Sequence, residues 1–313
     1  MAQEGEEVFG FLRYPTSVRA NALGGNSVSL IERDPSLVFH NPGILGTEMD
    51  GMININYMNY ISDINVGSAI FTKASGERGA WGIGASFISY GNFKQTSINN
   101  DQEGSFTAKD INFTALYGYD LSERWRGGLA IKFLYSTFER YSAFGLCADA
   151  GLSYFNPDKE FSFGFTFKNL GAQLKSYTDE RHRLPWDIQM GATKKLENAP
   201  IRLSVTAMYL NKWEINYLDK VNLDYKNTFF KTLTRHLLFG VEYIPSENVW
   251  LGLGFNPKTN QDMALETGNK LGGFSFGGGI RINKFDVSAS VAKYHPSATS
   301  LMISISTTLD DFK

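Results

Sequence analysis

The chain has 313 residues with a formal net charge of -2, rich in Gly (31), Phe (24) and Tyr (15) and poor in Pro (9). No basic field marks a nucleic-acid binder, the single Cys147 excludes an internal disulfide, and no run of about 18 apolar residues offers a transmembrane helix. Aromatic-rich, Gly-rich composition instead suits a strand-built chain.

The start, Met1-Ala-Gln-Glu-Gly5, has neither the basic region nor the apolar core of a signal peptide. We expect a mature chain whose signal has been removed. Residues 8–45 then keep neither a helical nor a strand period, although they are apolar in patches. Gly24-Gly25 and Asn41-Pro42-Gly43 punctuate them as turns. Such a segment needs burial for its apolar residues and partners for its backbone. Residues 1–50 therefore read as a periplasmic or plug segment, with Phe11, Leu12, Leu23, Gly24, Gly25, Asn41 and Pro42 as its marker residues.

From Gly51 onward the pattern alternates with period two. Ile53, Ile55 and Tyr57 oppose Asn54 and Asn56. Later, Phe161, Phe163, Phe165 and Phe167 oppose Ser162, Gly164, Thr166 and Lys168. Fourteen such runs are predicted, over 52–60, 63–72, 81–87, 111–118, 125–136, 143–155, 161–174, 184–195, 201–211, 235–244, 249–256, 273–282, 284–294 and 299–308. Alternate connections are short, such as 74–79, 120–124, 156–160 and 245–248. The other set includes the long stretches 94–110, 175–183, 212–234 and 257–272. Short turns on one side and longer loops on the other mark an outer-membrane barrel, with the short side periplasmic. Trp81, Trp125 and Trp250 at one set of strand ends, with Trp186 and Trp213 at the other, read as aromatic girdles.

The fold class is thus all-β, a transmembrane outer-membrane barrel of about 14 antiparallel strands over residues 51–313, with an N-terminal plug. An even strand number puts both ends on the periplasmic side. A barrel this wide is not filled by its own side chains. The N-terminal segment is the natural occupant, folding in from beneath with Asn41-Pro42 near the turn into the first strand.

No chemistry of catalysis is expected. Gly273-Phe-Ser275-Phe-Gly277 matches a nucleophile motif but lies inside a strand, without the strand-to-helix turn that exposes such a serine. His40, His182, His236 and His295 show no ligand spacing, so neither metal nor cofactor is expected. His40 should hydrogen-bond irregular backbone. Gly82, Gly84, Gly252 and Gly254 read as small lumen-facing positions. Inward Lys132, Lys168, Lys195, Arg202, Glu242 and Arg281 suit a wet or plug-contacting wall, and the inward faces read as small and polar. The loop 212–234 is unusually apolar, with Trp213, Tyr217, Leu218, Leu223, Tyr225, Phe229 and Phe230 as candidate partner-binding residues.

The opening Phe11-Leu12, Pro15, Ser17, Arg19 and Ala22-Leu23-Gly24-Gly25, followed by Asp34 and Asn41-Pro42, resembles the start of the PorQ family. These are outer-membrane proteins of the Bacteroidota type IX secretion system, grouped with PorV among barrels similar to the FadL fatty-acid transporter. The resemblance implies a non-enzymatic membrane anchor, embedded in outer-membrane lipid, that holds a PorZ-like surface protein beside the PorU sortase and PorV. The alternatives are a FadL-like channel for a hydrophobic small molecule and a PorV-like cargo shuttle.

Overall fold

The structure, a computed structural model, describes residues 7–96, 102–178, 180–215, 228–267, 271–295 and 298–312. Its strands are β1 (Met52–Ile61), β2 (Ile64–Ser75), β3 (Gly79–Thr96), β4 (Gln102–Asp120), β5 (Trp125–Phe138), β6 (Tyr141–Asn156) and β7 (Phe161–Lys175). There follow β8 (Asp187–Lys195), β9 (Ile201–Ala207), β10 (Leu237–Ser246), β11 (Val249–Phe255), β12 (Phe274–Ile282), β13 (Phe285–His295) and β14 (Ala298–Thr308). Each strand pairs with its sequence neighbours, and β1 pairs antiparallel with β14, so the 14 strands form a closed barrel. Closure leaves no open edge inside the bilayer, where an unpaired backbone group costs several kcal/mol.

Alternation decides which face meets lipid. Along β5, Leu129, Ile131, Phe133 and Tyr135 are exposed outward, whereas Ala130, Lys132, Leu134 and Ser136 are buried inward. Ile55, Ile83, Phe113, Leu203, Leu253, Phe276 and Ile303 extend this exposed apolar band onto other strands. A belt of that extent in water would drive aggregation. In hydrocarbon it is at home, so the outer face is that of a membrane-spanning barrel.

Several boundaries differ from the sequence reading. The stretch 94–110 is not a loop: β3 and β4 continue through most of it, with Phe93 opposite Phe106 and their rings stacked at 5.2 Å. Gly104 and the polar residues around it hide the alternation. Strand β8 starts at Asp187 instead of Leu184, because Pro185 has no N–H for the ladder and Leu184 turns into the barrel, where it is buried. Strand β9 stops at Ala207, two residues before Tyr209 adopts a positive φ of 59°. Arg235 ends a helix, α2 (Phe229–Arg235), before β10 begins, and 257–272 holds another, α3 (Pro257–Thr267); the short helix α1 (Val18–Ala22) precedes the barrel.

The route of residues 7–50 is also different. Met52 and Thr308 lie together at the short-turn rim, as an even strand count requires. Glu7, however, pairs with Arg183 and with Lys212, in the β7–β8 and β9–β10 connections on the long-loop side. The segment thus descends through the lumen from the long-loop mouth to the short-turn mouth, and does not fold in from beneath. Asn41 and Pro42 do not make the turn into β1. That turn falls at Gly51, with a φ of +64°, while Pro42–Ile44 packs against β5 and β6.

The lipid-facing assignment makes a direct prediction. Ile131→Arg should destabilise the barrel by about 2–4 kcal/mol if it lies near the bilayer midplane. Urea titration of folding into liposomes measures this, and Leu309→Arg, beyond the end of β14, should change little.

Candidate functional site

Residues 7–50 fold through short turns, three of them capped by side chains and none long enough to be stable alone. Ser17 accepts from Ala20 N (3.3 Å) to cap α1. Gly24 and Gly25, at φ +100° and +106°, reverse the chain where a side chain would be strained. Asp34 caps the 3-10 turn Pro35–Phe39 through Ser36 N (2.9 Å), and Asn41 caps Pro42–Ile44 through Gly43 N (2.9 Å). The sequence supplies caps; the barrel supplies the burial that makes them hold.

The wall meets this irregular backbone with polar groups. Asn21 donates to Ser290 (2.8 Å), and Ser275 both accepts from Gly24 N and donates to Ala22 O, each at 3.0 Å. Ser275 therefore serves the segment, not a reaction. Thr72 donates to Met49 O (2.6 Å), Ser162 to Ser29 O (2.6 Å) and Lys168 to Phe39 O (2.7 Å). Close approach needs missing side chains as well. A Cβ on Gly254 would collide with Gly24 N, and one on Gly164 with Val28 O. Gly84 likewise leaves room for the Phe39 ring.

Charge fixes the lower half. Arg19 Nε bonds Glu242 at 2.7 Å and its Nη1 lies 3.3 Å from Glu32; Arg202 Nε bonds Glu242 at 2.7 Å and Arg202 also pairs with Glu32. Arg19 further stacks over Trp250, 4.9 Å from the ring centroid. At the short-turn mouth, burial disfavours the Glu32 carboxylate, but Arg19 and Arg202 more than offset it and lower its pKa from 4.5 to about 2. Its contribution is therefore complete above pH 4.5 and fades only as pH falls toward 2. Higher in the lumen Lys132 pairs with Asp149 (2.5 Å) and bonds Asn169 (2.9 Å). Lys195 and Arg281 instead form ion pairs at the short-turn rim, with Glu160 and Asp286.

Two apolar zones complete the filling. In the lower one, Leu30, Leu37, Val38, Ile44 and Leu45 pack on Met52, Ile70, Leu116 and Ala130. In the upper one, Val8, Phe9, Phe11 and Val18 cover Met58, Val66, Ile88, Leu134 and Met302, with Leu12 at its margin. The inward faces are thus not uniformly small and polar: strands β14, β1, β2, β3 and β5 present large apolar side chains toward the long-loop mouth. Between segment and wall lies a cavity of about 60 Å3 with a mixed lining, Phe11, Phe39 and Met208 on one hand and His40, Lys168 and Asp187 on the other. That is room enough for water. A wider space of about 420 Å3 opens at the short-turn mouth between Ile31, Glu48, Trp125 and Phe155.

The marker residues Phe11, Leu23, Asn41 and Pro42 are buried in the lumen. His40 bonds side chains and not backbone: its Nδ1 meets Asn26 Oδ1 at 2.6 Å. Arg202 and Glu242 were legible as inward charges; Arg19 and Glu32 as their partners were not, since nothing local pairs them. On the long-loop side Trp213 stacks on His236 (5.4 Å) and packs on Phe229 (5.3 Å). Phe229 and Phe230 are 68% and 74% exposed. Tyr217, Leu218, Leu223 and Tyr225 lie outside the described residues.

If the ion network docks the segment, Glu242→Gln should leave Arg19 and Arg202 facing each other with one carboxylate fewer. Loss of one partner of a buried network costs about 3–5 kcal/mol, visible as a lower urea midpoint of the folded barrel.

No protein-family model matches the sequence, and no curated protein is significantly similar to it. Solved structures are similar in fold. A Pseudomonas aeruginosa FadL homologue aligns at TM-score 0.53 and 13% identity, over 95% of this chain and 98% of that one. The Pseudomonas putida toluene transporter TodX aligns at 0.54 and 11%, over 94% and 96%. A deltaS2 mutant of the TodX monoaromatic hydrocarbon channel aligns at 0.59 and 12%, over 96% and 100%. At these identities the likeness is one of fold, and the chain has the fold of FadL-like outer-membrane barrels.

Proposed function

We propose that this protein is an outer-membrane channel for a small hydrophobic molecule, held shut by its own N-terminal segment. The upper apolar zone carries this reading. A patch of inner wall formed by Met58, Val66, Ile88, Leu134 and Met302 is covered by Val8, Phe9 and Phe11. Phe9 and Phe11, with ring centroids 6.2 Å apart, occupy it much as two monoaromatic molecules would. The patch lies toward the long-loop mouth, where an apolar solute would enter, and the segment covering it is tied there by Glu7 to Lys212 and by Val8 N to Arg183 O (3.0 Å). Similarity of fold to a toluene transporter supports the choice of ligand class. The protein performs no covalent chemistry on this reading.

Truncating the covering rings should open the patch. A Phe9→Ala, Phe11→Ala double variant is expected to bind toluene in detergent and to raise toluene entry into proteoliposomes several-fold over the unaltered barrel. A folded double variant that neither binds nor admits toluene contradicts the reading.

A second reading is an anchor in a type IX attachment complex, holding a PorZ-like surface protein beside PorU and PorV. The exposed Phe229 and Phe230, beside Trp213, favour it, as an apolar rim facing outward suits a docked partner. Phe229→Ser with Phe230→Ser should then release the surface protein from outer membranes while the barrel stays folded. Full retention counts against this contact.

A further inference from the structure

Lys168 and Asp187 stand directly opposite one another in the β7–β8 register, and both are buried on the luminal face. Facing residues of an antiparallel pair have Cβ atoms about 4.5–5.5 Å apart, so a lysine there easily reaches an aspartate. Here it does not. Lys168 Nζ donates to the carbonyl oxygen of Phe39 in the luminal segment, 2.7 Å away, and makes no ion pair among the described residues. Asp187 accepts from Gln189 on Oδ2 (2.7 Å) and lies against the backbone N–H groups of Tyr209 and Ile188, while its Oδ1, buried, has no hydrogen-bond partner among the described residues. Lys168 and Asp187 both line the 60 Å3 cavity.

The other charges nearby do not bridge this pair: Arg13 of the segment faces Asp187, and Lys132 and Asp149 face Lys168. Lys132 is already matched with Asp149, and Asp149 also accepts from Asn169 N (2.7 Å) at the β6–β7 register shift. Arg13, the other cation lining the cavity, belongs to the segment and bonds Glu7. It would leave with the segment. An undocked wall would therefore hold one unmatched lysine and one unmatched carboxylate facing each other, both costly in a partly dry lumen.

We propose that Lys168 is a two-position switch. With the segment docked it holds the Phe39 carbonyl; when the segment withdraws, it swings to the orphaned oxygen of Asp187. The lysine thereby has a partner in both states and the carboxylate gains one when the segment leaves, so the segment's departure costs less than the loss of its contacts alone. This rests on the channel reading above, in which the segment moves.

Planar-bilayer recording tests it on the full chain, with folding of each variant checked by heat-modifiable gel migration. Asp187→Asn and Lys168→Gln both spare a donor for the Phe39 carbonyl and abolish the alternative ion pair. Each should open about fivefold less often than the unaltered protein, the scale of a solvent-screened ion pair. The exchange of the two, Lys168→Asp with Asp187→Lys, should open more often, because a carboxylate at position 168 cannot donate to that carbonyl yet still pairs across the strands. Unchanged opening in Asp187→Asn, or an exchange variant as closed as the unaltered protein, overturns the switch. A barrel lacking residues 8–45 is recorded beside them. If it conducts while the variants behave alike, the switch alone fails; if it is silent, the channel reading fails and the switch with it.

Discussion

The structure depends on one constraint: irregular backbone at membrane depth must find a partner for every buried polar group. Residues 7–50 contain only short turns and one five-residue helix, so their own hydrogen bonds leave many groups unmet. The barrel answers by lining its inner face with Ser, Thr, Asn and a few ions placed against specific carbonyls and amides, as at Ser275, Thr72, Ser162 and Lys168. Those residues explain why so much of the inner wall is polar: it faces the backbone of the segment.

Packing and charge divide the rest of the work. The lower half is held by a four-membered ion network, buried at Arg19, Arg202 and Glu242 and half-buried at Glu32, and by leucines of the segment. Taking such a network apart one residue at a time is expensive, because each removal strands a charge. The upper half is held by apolar contacts and by the ties of Glu7 to Lys212 and Val8 to Arg183. Apolar contacts are non-directional and are replaced readily by another apolar group. The molecule is therefore latched by charge below and by apolar contact above, an asymmetry that suits entry of an apolar solute from the long-loop side on the proposed channel reading.

Much of the barrel was legible in the sequence because alternation is local: Ile53 to Tyr57 or Phe161 to Phe167 declare their face within a few residues. Loop lengths then sorted the two rims. Boundaries failed where a local signal was interrupted, as at Gly104 in β4 or Pro185 before β8. The luminal segment was legible as something to be buried and as punctuated at Gly24-Gly25 and Asn41-Pro42-Gly43; its caps at Ser17, Asp34 and Asn41 emerged only with the structure. Its direction was not legible, nor were its partners. Arg19 meets Glu242 across 223 residues of sequence, and no periodicity encodes such a pairing. Reading the inner faces as small and polar missed Met58, Leu134 and Met302 for a related reason: each occupies an inward position alternation had marked, but only the closed barrel gathers them into one patch.

The central claim is that residues 18–45 are part of the folded interior and not a tail lying beneath it. Native-state amide hydrogen exchange on the bilayer-embedded protein measures this directly. Peptides from 18–45 are expected to exchange as slowly as those of β10 to β12, with 8–12 faster but still protected. Exchange of 18–45 at the rate of an unstructured chain, while the strands stay protected, would contradict the account.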